Sequence, residues 1–305
     1  MRVAAIDCGT NSIRLLIADV DAHGRLADIV REMLIVRLGE GVDRTGSLAP
    51  QAIERTRVAL AGYAAAIAAH TVDRVRMVAT SATRDASNRE DFAAMVRAEL
   101  GVEPDVIPGA EEAALSFSGA VSGLPSLPGP LLVVDIGGGS TEIVLGDGDG
   151  GDVRSHSMDI GCVRMTERHL RDDPPTPAQI ADTVADIRAA IADAVRDVPI
   201  RQAATFVGVA GTVTTLAGIA LDLDEYDAAA IHGSVLTAEQ VHAVTARLLR
   251  MTHAQRAALP VMHPGRVDVI GGGALVLRTL VEESGASEVI VGEHDILDGI
   301  ALSLR

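Results

Sequence analysis

Residues 4–17 read AAIDCGTNSIRLLI, and residues 132–145 read LVVDIGGGSTEIVL. Each stretch is an apolar strand, an aspartate, a turn rich in glycine and hydroxyl side chains, and a second apolar strand. Such a turn is typical of a site for metal-bound phosphate, because glycine lets the backbone approach the anion and successive N–H groups point at it. The repeat predicts a duplicated α/β domain that holds phosphates between its two halves.

The composition is that of a globular protein with an acidic surface. A length of 305 residues predicts about two domains. The 26 basic and 42 acidic side chains give a formal charge of −16, which disfavours nucleic acid and anionic membranes as partners. All of the basic side chains are arginines, so mechanisms that need a P-loop or Schiff-base lysine are excluded.

Several features favour a cytoplasmic location. The two cysteines, Cys8 and Cys162, cannot form a disulfide framework and lack metal-ligand spacing. The first predicted strand begins at residue 3, which leaves no room for a signal peptide. Residues 203–221 are uncharged and as long as a membrane span. Their threonines and glycines fit a strand, a loop and a buried helix better, so we expect no membrane partner.

The segment 123–130, GLPSLPGP, marks the predicted domain boundary because its prolines and glycines continue neither helix nor strand. It separates a domain at 1–122 from a domain at 131–305, whose last helix, at about 295–305, could pack back on the first domain. Each half reads as a strand meander followed by helices that alternate with strands. Residues 81–86 are predicted to form a polar loop, and residues 147–152 a hairpin tip.

The carboxylates of the two turns are candidate metal ligands. An isolated aspartate in such a turn is more often a simple cap, but two matching turns favour a functional site. Glu142 follows Asp135 by seven residues and lies across the turn on the outgoing strand. Both carboxylates could therefore face one hydrated Mg²⁺, and Asp7 of the first turn is a third candidate.

An acidic pair and three arginines could complete a phosphate site. Glu111 and Glu112 begin a predicted helix, where acidic side chains suit the helix dipole; either could also act as a general base on water. Loop arginines neutralise phosphate well but also form ordinary surface ion pairs. The arginines near the turns are Arg14, Arg84 and Arg164.

A further glycine turn at 208–215 joins a strand end to a helix. The start of that helix, at Gly211 and Thr212, could accept an anion, although close packing explains the glycines nearly as well.

Together these motifs resemble the exopolyphosphatase and guanosine pentaphosphate phosphohydrolase family, a branch of the actin-like ATPase superfamily. The resemblance runs through residues 6–12, 80–88, 107–119, 135–142, 159–167, 208–217 and 293–299. It implies an α/β fold of two actin-like (ribonuclease H-like) domains with the active site in the cleft between them. The chain resembles the short, two-domain form, and analogy with the family suggests a homodimer.

The resemblance also implies roles for single residues. Glu112 matches the general base, and Arg84 matches a phosphate-contacting arginine. Asp135 and Glu142 match carboxylates associated with Mg²⁺, or Mn²⁺ in its place, and Asp7 is added to them as a candidate. With the patterns above, the residues predicted to bind substrate phosphate are Gly9, Thr10, Asn11, Ser12, Arg14, Gly137, Gly138, Gly139, Ser140, Thr141, Gly211 and Thr212.

The predicted function is hydrolysis of the terminal phosphoanhydride of inorganic polyphosphate, with a preference for short chains. Guanosine pentaphosphate presents a similar terminal anhydride and is the alternative substrate. Two other classes stay open at this point, a nucleotide-binding actin-like switch and a sugar or acetate kinase. Filament formation with tight ATP binding would indicate the switch, and phosphate transfer to an acceptor would indicate the kinase.

Overall fold

The computed structural model describes residues 1–147 and 153–305, and these divide into two compact units. The first unit is Met1–Ser122 together with Asp295–Arg305, and the second is Gly123–His294. The predicted hairpin tip at 147–152 lies outside the described residues except for its first position.

The first unit contains a five-stranded sheet with the order β3-β2-β1-β4-β5. Its strands are β1 (Arg2–Cys8), β2 (Ser12–Val20), β3 (Leu26–Ile35), β4 (Arg74–Ala79) and β5 (Asp105–Val106). The first three strands form an antiparallel meander, and β4 and β5 run parallel to β1.

The second unit contains a six-stranded sheet with the order β10-β11-β9-β6-β7-β8. Its strands are β6 (Leu131–Ile136), β7 (Thr141–Gly146), β8 (Arg154–Met158), β9 (Thr205–Val209), β10 (Val235–Thr237) and β11 (Glu288–Val291). Here too the first three strands form an antiparallel meander, and β9 and β11 continue the sheet in parallel. Apart from the added antiparallel β10, this is the strand order of the first unit, as the repeated motif predicted.

Helices flank both sheets. They are α1 (Val42–Thr45), α2 (Pro50–Ala69), α3 (Ser81–Asp85), α4 (Arg89–Leu100), α5 (Gly109–Gly123), α6 (Cys162–His169), α7 (Pro177–Ala194), α8 (Ala210–Ala220), α9 (Ala228–Ile231), α10 (Ala238–Arg250), α11 (His253–Ala257), α12 (Ile270–Ser284) and α13 (Ile296–Leu302), with 3-10 turns at Ile200–Gln202 and Pro264–Arg266. None of the helices in the described ranges has both the length and the apolarity needed to cross a membrane. The uncharged stretch 203–221 contains the expected strand, β9, and the expected buried helix, α8, but they follow each other directly, without the predicted loop.

The prediction of a polar loop at residues 81–86 was wrong, because most of this segment forms the short helix α3. The Arg84 N–H donates to the carbonyl of Thr80 at 2.9 Å and closes a helical turn. Ser81 and Thr83 are buried in spite of their polar side chains. Polarity alone therefore gave no indication that this segment packs inside the unit.

Strand β1 lies at the centre of the first unit and is covered on both faces. Ala4 and Ile6 point into one core, which they share with α2 and α4. Val3 and Ala5 point to the other face, where side chains of α13 cover them. A strand buried on both sides reads as a continuous apolar run, which is how residues 3–6 read in the sequence.

Register places different residues opposite the two repeated aspartates. Asp7 on β1 pairs with Arg14 on β2. Asp135 on β6 pairs with Glu142 on β7. The two turns are thus built on the same plan but carry opposite charges at the paired position.

Candidate active site

The first turn is held closed by its own backbone and by two neighbouring segments. The Gly9 N–H donates to the carbonyl of Ser12 at 3.0 Å. A hydrogen bond of 2.9 Å joins the hydroxyls of Thr10 and Ser81, and the Gly39 N–H donates to the carbonyl of Thr10 at 2.8 Å. A Cβ on Gly39 would lie 2.3 Å from Cγ2 of Thr10, so only glycine fits beside the turn.

The carboxylate of Asp7, at the end of β1, forms an ion pair with the guanidinium of Arg14. Arg14 donates from Nε and Nη2 to Oδ2 of Asp7 at 2.9 and 2.6 Å, and from Nη1 to Oδ2 of Asp295. Both carboxylates are buried. Burial raises the pKa of Asp7, the Arg14 charge opposes that rise, and the Asp295 charge adds to it.

Glu112 lies in the first turn of α5 and is only 7% exposed. Its Oε2 accepts a hydrogen bond of 2.9 Å from Nη1 of Arg84, which also donates to the carbonyl of Ile107 at 3.0 Å. Burial raises the pKa of Glu112 to about 7, and the Asp7 charge adds to the rise, while hydrogen bonds from Arg84 and Thr80 lower the pKa. A carboxyl group with a pKa near 7 can exchange a proton at neutral pH.

The two members of the acidic pair have different surroundings. Glu111 is exposed and accepts a hydrogen bond of 2.6 Å from Nη2 of Arg76. Glu111 therefore forms an ordinary surface ion pair. Glu112 alone is buried beside the turn residues, which distinguishes it physically from its neighbour.

The second turn repeats the hydrogen bond of the first. The Gly137 N–H donates to the carbonyl of Ser140, again at 3.0 Å. The carbonyls of Gly137 and Gly138 accept from the N–H groups of Cys162 and Val163, at 3.0 and 2.9 Å, so the start of α6 faces the turn.

The carbonyl side of this turn is thus occupied by protein. Nε of Arg164 donates to the carbonyl of Gly139 at 2.7 Å, and a Cβ on Gly161 would lie 2.5 Å from the carbonyl oxygen of Gly138. Within the described ranges the N–H groups of Gly138 and Gly139 have no protein acceptor. These amides can bind an anion. The hydroxyl of Thr141, in contrast, donates to the carbonyl of Ile160 at 2.7 Å.

Asp135 and Glu142 form a buried pair of carboxylates in adjacent strands. Oε1 of Glu142 accepts a hydrogen bond of 2.7 Å from the hydroxyl of Ser157, which fixes the side chain. Mg²⁺ commonly keeps several waters and takes one or two carboxylates together with phosphate oxygens, so this pair fits such an ion. A cluster of three or more acidic, histidine or cysteine ligands is absent from the part of the chain that the structure describes.

The predicted third glycine turn is the direct junction of β9, which ends at Val209, with α8, which begins at Ala210. Ala210 adopts a left-handed conformation with φ of 67°, which is unusual for a residue with a side chain. The guanidinium of Arg266 lies against Gly211, where a Cβ would be 1.7 Å from Nη1, and Nη1 donates to the hydroxyl of Thr215 at 3.2 Å. Thr212 is buried at the start of the helix.

Sequence reasoning missed Arg266 and Asp295. Arg266 ends a 3-10 turn far along the chain from Gly211, and no local pattern predicts its contact with that glycine. Asp295 falls within one of the blocks that resemble the family, but its contact with Arg14 depends on the tertiary fold.

Comparisons with known proteins point to one family. The model of the Ppx/GppA phosphatase family matches residues 16–304. The chain is 56% identical to Exopolyphosphatase 2 of Mycobacterium tuberculosis, across 99% of this chain and 98% of that protein. It is similar to the crystal structure of an exopolyphosphatase-like protein, with 46% identity, a TM-score of 0.95 and coverage of 100% and 98% of the two chains. The Ppx/GppA family member from Aquifex aeolicus is 32% identical, with a TM-score of 0.81 and coverage of 100% and 97%.

Proposed function

The chain belongs to the Ppx/GppA phosphatase family, and on that premise we propose that it is an exopolyphosphatase, which releases orthophosphate from the end of inorganic polyphosphate. The identity of 56% with Exopolyphosphatase 2 extends over nearly the full length of both proteins. This similarity favours a phosphoanhydride hydrolase over the kinase and the nucleotide-binding switch.

The observation that carries the proposal is the state of Glu112. A general base must accept a proton near the working pH, and burial brings the pKa of Glu112 to about 7. Arg84 fixes one carboxylate oxygen at 2.9 Å and adds a positive charge beside it. We therefore propose Glu112 as the base that orients and deprotonates the attacking water.

The two turns supply the proposed phosphate contacts. In the second turn the N–H groups of Gly138 and Gly139 are available to phosphate oxygens. In the first unit Arg84 and Arg14 would donate hydrogen bonds to phosphate oxygens. The hydroxyls of Thr10 and Thr141 already make protein hydrogen bonds, so we propose that these two residues shape the turns.

Asp135 and Glu142 are the proposed ligands of Mg²⁺ or Mn²⁺, which when bound would offset the charge that develops on the transferred phosphoryl group. Asp7 already accepts two hydrogen bonds from Arg14 through one oxygen. We propose that Asp7 orients that arginine, and that the carboxylates of the second unit carry the main part of metal binding.

The proposed step is attack by water on the terminal phosphorus. The water oxygen forms a bond to phosphorus while the bond from phosphorus to the bridging oxygen breaks. The electron pair of that bond stays on the shortened polyphosphate, and a proton from the water passes to Glu112. Positioning and electrostatic stabilisation supply most of the rate in such phosphoryl transfers.

Release of orthophosphate by the purified protein tests the proposal. Short polyphosphate, long polyphosphate, guanosine pentaphosphate and ATP are compared with Mg²⁺ present. We expect release from polyphosphate, with short chains preferred. Rapid release from ATP alone would refute the proposal, and release from guanosine pentaphosphate alone would establish the alternative substrate. The homodimer stays a prediction, which sedimentation equilibrium would test.

A further inference from the structure

Two carboxylates from distant parts of the chain hold the guanidinium of Arg14. Asp7 accepts from Nε and Nη2 through a single oxygen, Oδ2, and Asp295 accepts from Nη1. A guanidinium has five N–H donors, and these bonds use three. Two donors of Arg14 therefore have no protein acceptor among the residues that the structure describes.

A second point of attachment matters because the first is a single atom. Two N–H groups that converge on one oxygen leave the guanidinium free to turn in its own plane about that oxygen. The bond from Nη1 to Asp295 removes that freedom. Planar, two-point contacts are the ones that give arginine a defined direction.

Asp295 is itself held rigidly. It caps α13, since its Oδ1 accepts from the Leu297 N–H at 3.0 Å, and its own N–H donates to Oδ2 of Asp298 at 3.1 Å. On the other side α5 packs against its backbone, because a Cβ on Gly119 would lie 1.8 Å from the Asp295 carbonyl oxygen. A carboxylate fixed in this way can set the direction of another side chain.

Charge alone does not explain why Asp295 is there. With both carboxylates ionised, Asp7, Arg14 and Asp295 together carry one net negative charge, which works against phosphate binding. Beyond its role as the cap of α13, what Asp295 contributes to Arg14 is therefore geometric. We propose that Asp295 is a positioning residue that orients Arg14 so that its two remaining N–H donors meet a phosphate oxygen of the substrate; this inference rests on the proposed function.

The test begins with Asp295→Asn. Asparagine caps helices about as well as aspartate, so α13 keeps its cap while the charged partner of Arg14 is lost. We expect kcat for polyphosphate to fall about 10- to 100-fold, since a small misplacement of a contacting group has that effect. We expect no rise in KM, because a negative charge has been removed.

A double-mutant cycle separates positioning from a structural role. Arg14→Lys keeps the positive charge but removes the planar guanidinium that Asp295 is proposed to orient. In the Arg14→Lys background, Asp295→Asn should therefore lower kcat by less than a further factor of about three. The control is Arg31→Lys, which weakens the other ion pair of α13, from Nη2 of Arg31 to Oδ1 of Asp298 at 2.5 Å. In the double variant, the fold-losses of kcat caused by Arg31→Lys and by Arg14→Lys should multiply. If the losses from Asp295→Asn and Arg14→Lys multiply instead, or if Asp295→Asn keeps full kcat, the proposal is overturned.

A second measurement does not depend on activity. Nitrogen-15 NMR of the guanidinium groups reports whether rotation of Arg14 is hindered, with its signals identified by their loss in Arg14→Lys. We expect separate Nη signals for Arg14 in the wild type and in Arg31→Lys, and averaged signals in Asp295→Asn. Separate signals in Asp295→Asn would overturn the positioning role. If the wild type releases no phosphate from polyphosphate, the proposed function fails, and the NMR comparison alone decides the role of Asp295.

Discussion

Replacement of Glu112 by glutamine should strongly reduce turnover and change how stability depends on pH. The carboxyl group is almost fully buried, and its pKa is about 7 in place of the ordinary 4.5. A raised carboxyl pKa means that the folded state binds the proton more tightly than the unfolded state. The stabilising contribution of the protonated group is therefore full below about pH 4.5 and is lost as the pH rises through about 7.

Linkage converts this pKa difference into a free energy of unfolding. Between pH 5 and pH 8 the wild type should lose about 2–3 kcal/mol through Glu112 alone. Glutamine has no proton to release and keeps an oxygen that can accept from Arg84, so the variant should lack this loss. The free energy of unfolding of the variant, relative to that of the wild type, should therefore be greater at pH 8 than at pH 5.

Urea denaturation followed by circular dichroism measures both proteins at the two pH values, since the chain has no tryptophan. Turnover of polyphosphate should fall about 10²- to 10⁴-fold in the variant, and wild-type turnover should rise with pH to a plateau above about 7. An equal pH dependence of stability in the two proteins would show that Glu112 is not the buried acid described above. Unchanged turnover would show that it is not the base.

Three further substitutions test the rest of the site. Arg84→Gln removes the positive charge beside Glu112, so kcat should fall about 10²-fold. The pKa of Glu112 should rise, so the increase of turnover with pH should occur at higher pH. An unchanged pH profile would contradict the ion pair between Arg84 and Glu112. Glu142→Gln should raise the Mg²⁺ concentration for half-maximal activity about tenfold or more, and an unchanged metal titration would exclude Glu142 as a ligand. Gly39→Ala should displace the first turn at Thr10, destabilise the protein by about 1–3 kcal/mol in thermal or urea unfolding and raise KM for polyphosphate. Its matched control is Gly62→Ala, where a Cβ meets nothing within 4 Å; a similar effect in both would show that the first turn is not the cause.

Local patterns predicted much of the fold. Each strand, aspartate and turn is a short run of residues whose alternation and glycines are read directly from the sequence, and the paired meanders follow from them. The assignment of residues 81–86 failed because tertiary packing can bury a polar segment such as α3, even though the buried hydroxyl of Thr83 has no hydrogen-bond partner among the described residues. The hydroxyl of Ser81, in contrast, forms a hydrogen bond with the hydroxyl of Thr10.

The parts of the candidate site that escaped prediction depend on contacts between distant segments. Arg14 is recognisable as an arginine beside a turn, but its two carboxylate partners lie seven and 281 residues away. Arg266 reaches Gly211 only because α8 and the 3-10 turn at Pro264–Arg266 fold together. Sequence spacing carries no signal for such pairs. The burial of Glu112 could be suspected only from the resemblance of its segment to a known motif.

The division of the first unit between the two ends of the chain has a consequence for synthesis on the ribosome. Val3, Ala5 and Leu16 are made early, but the helix that covers them, α13, is made only after the whole second unit. Throughout translation of the second unit, the face of the first sheet that α13 later covers has no helix packed against it from that segment. The first unit therefore cannot cover that face of its sheet until Asp295–Arg305 have followed the whole second unit out of the ribosome.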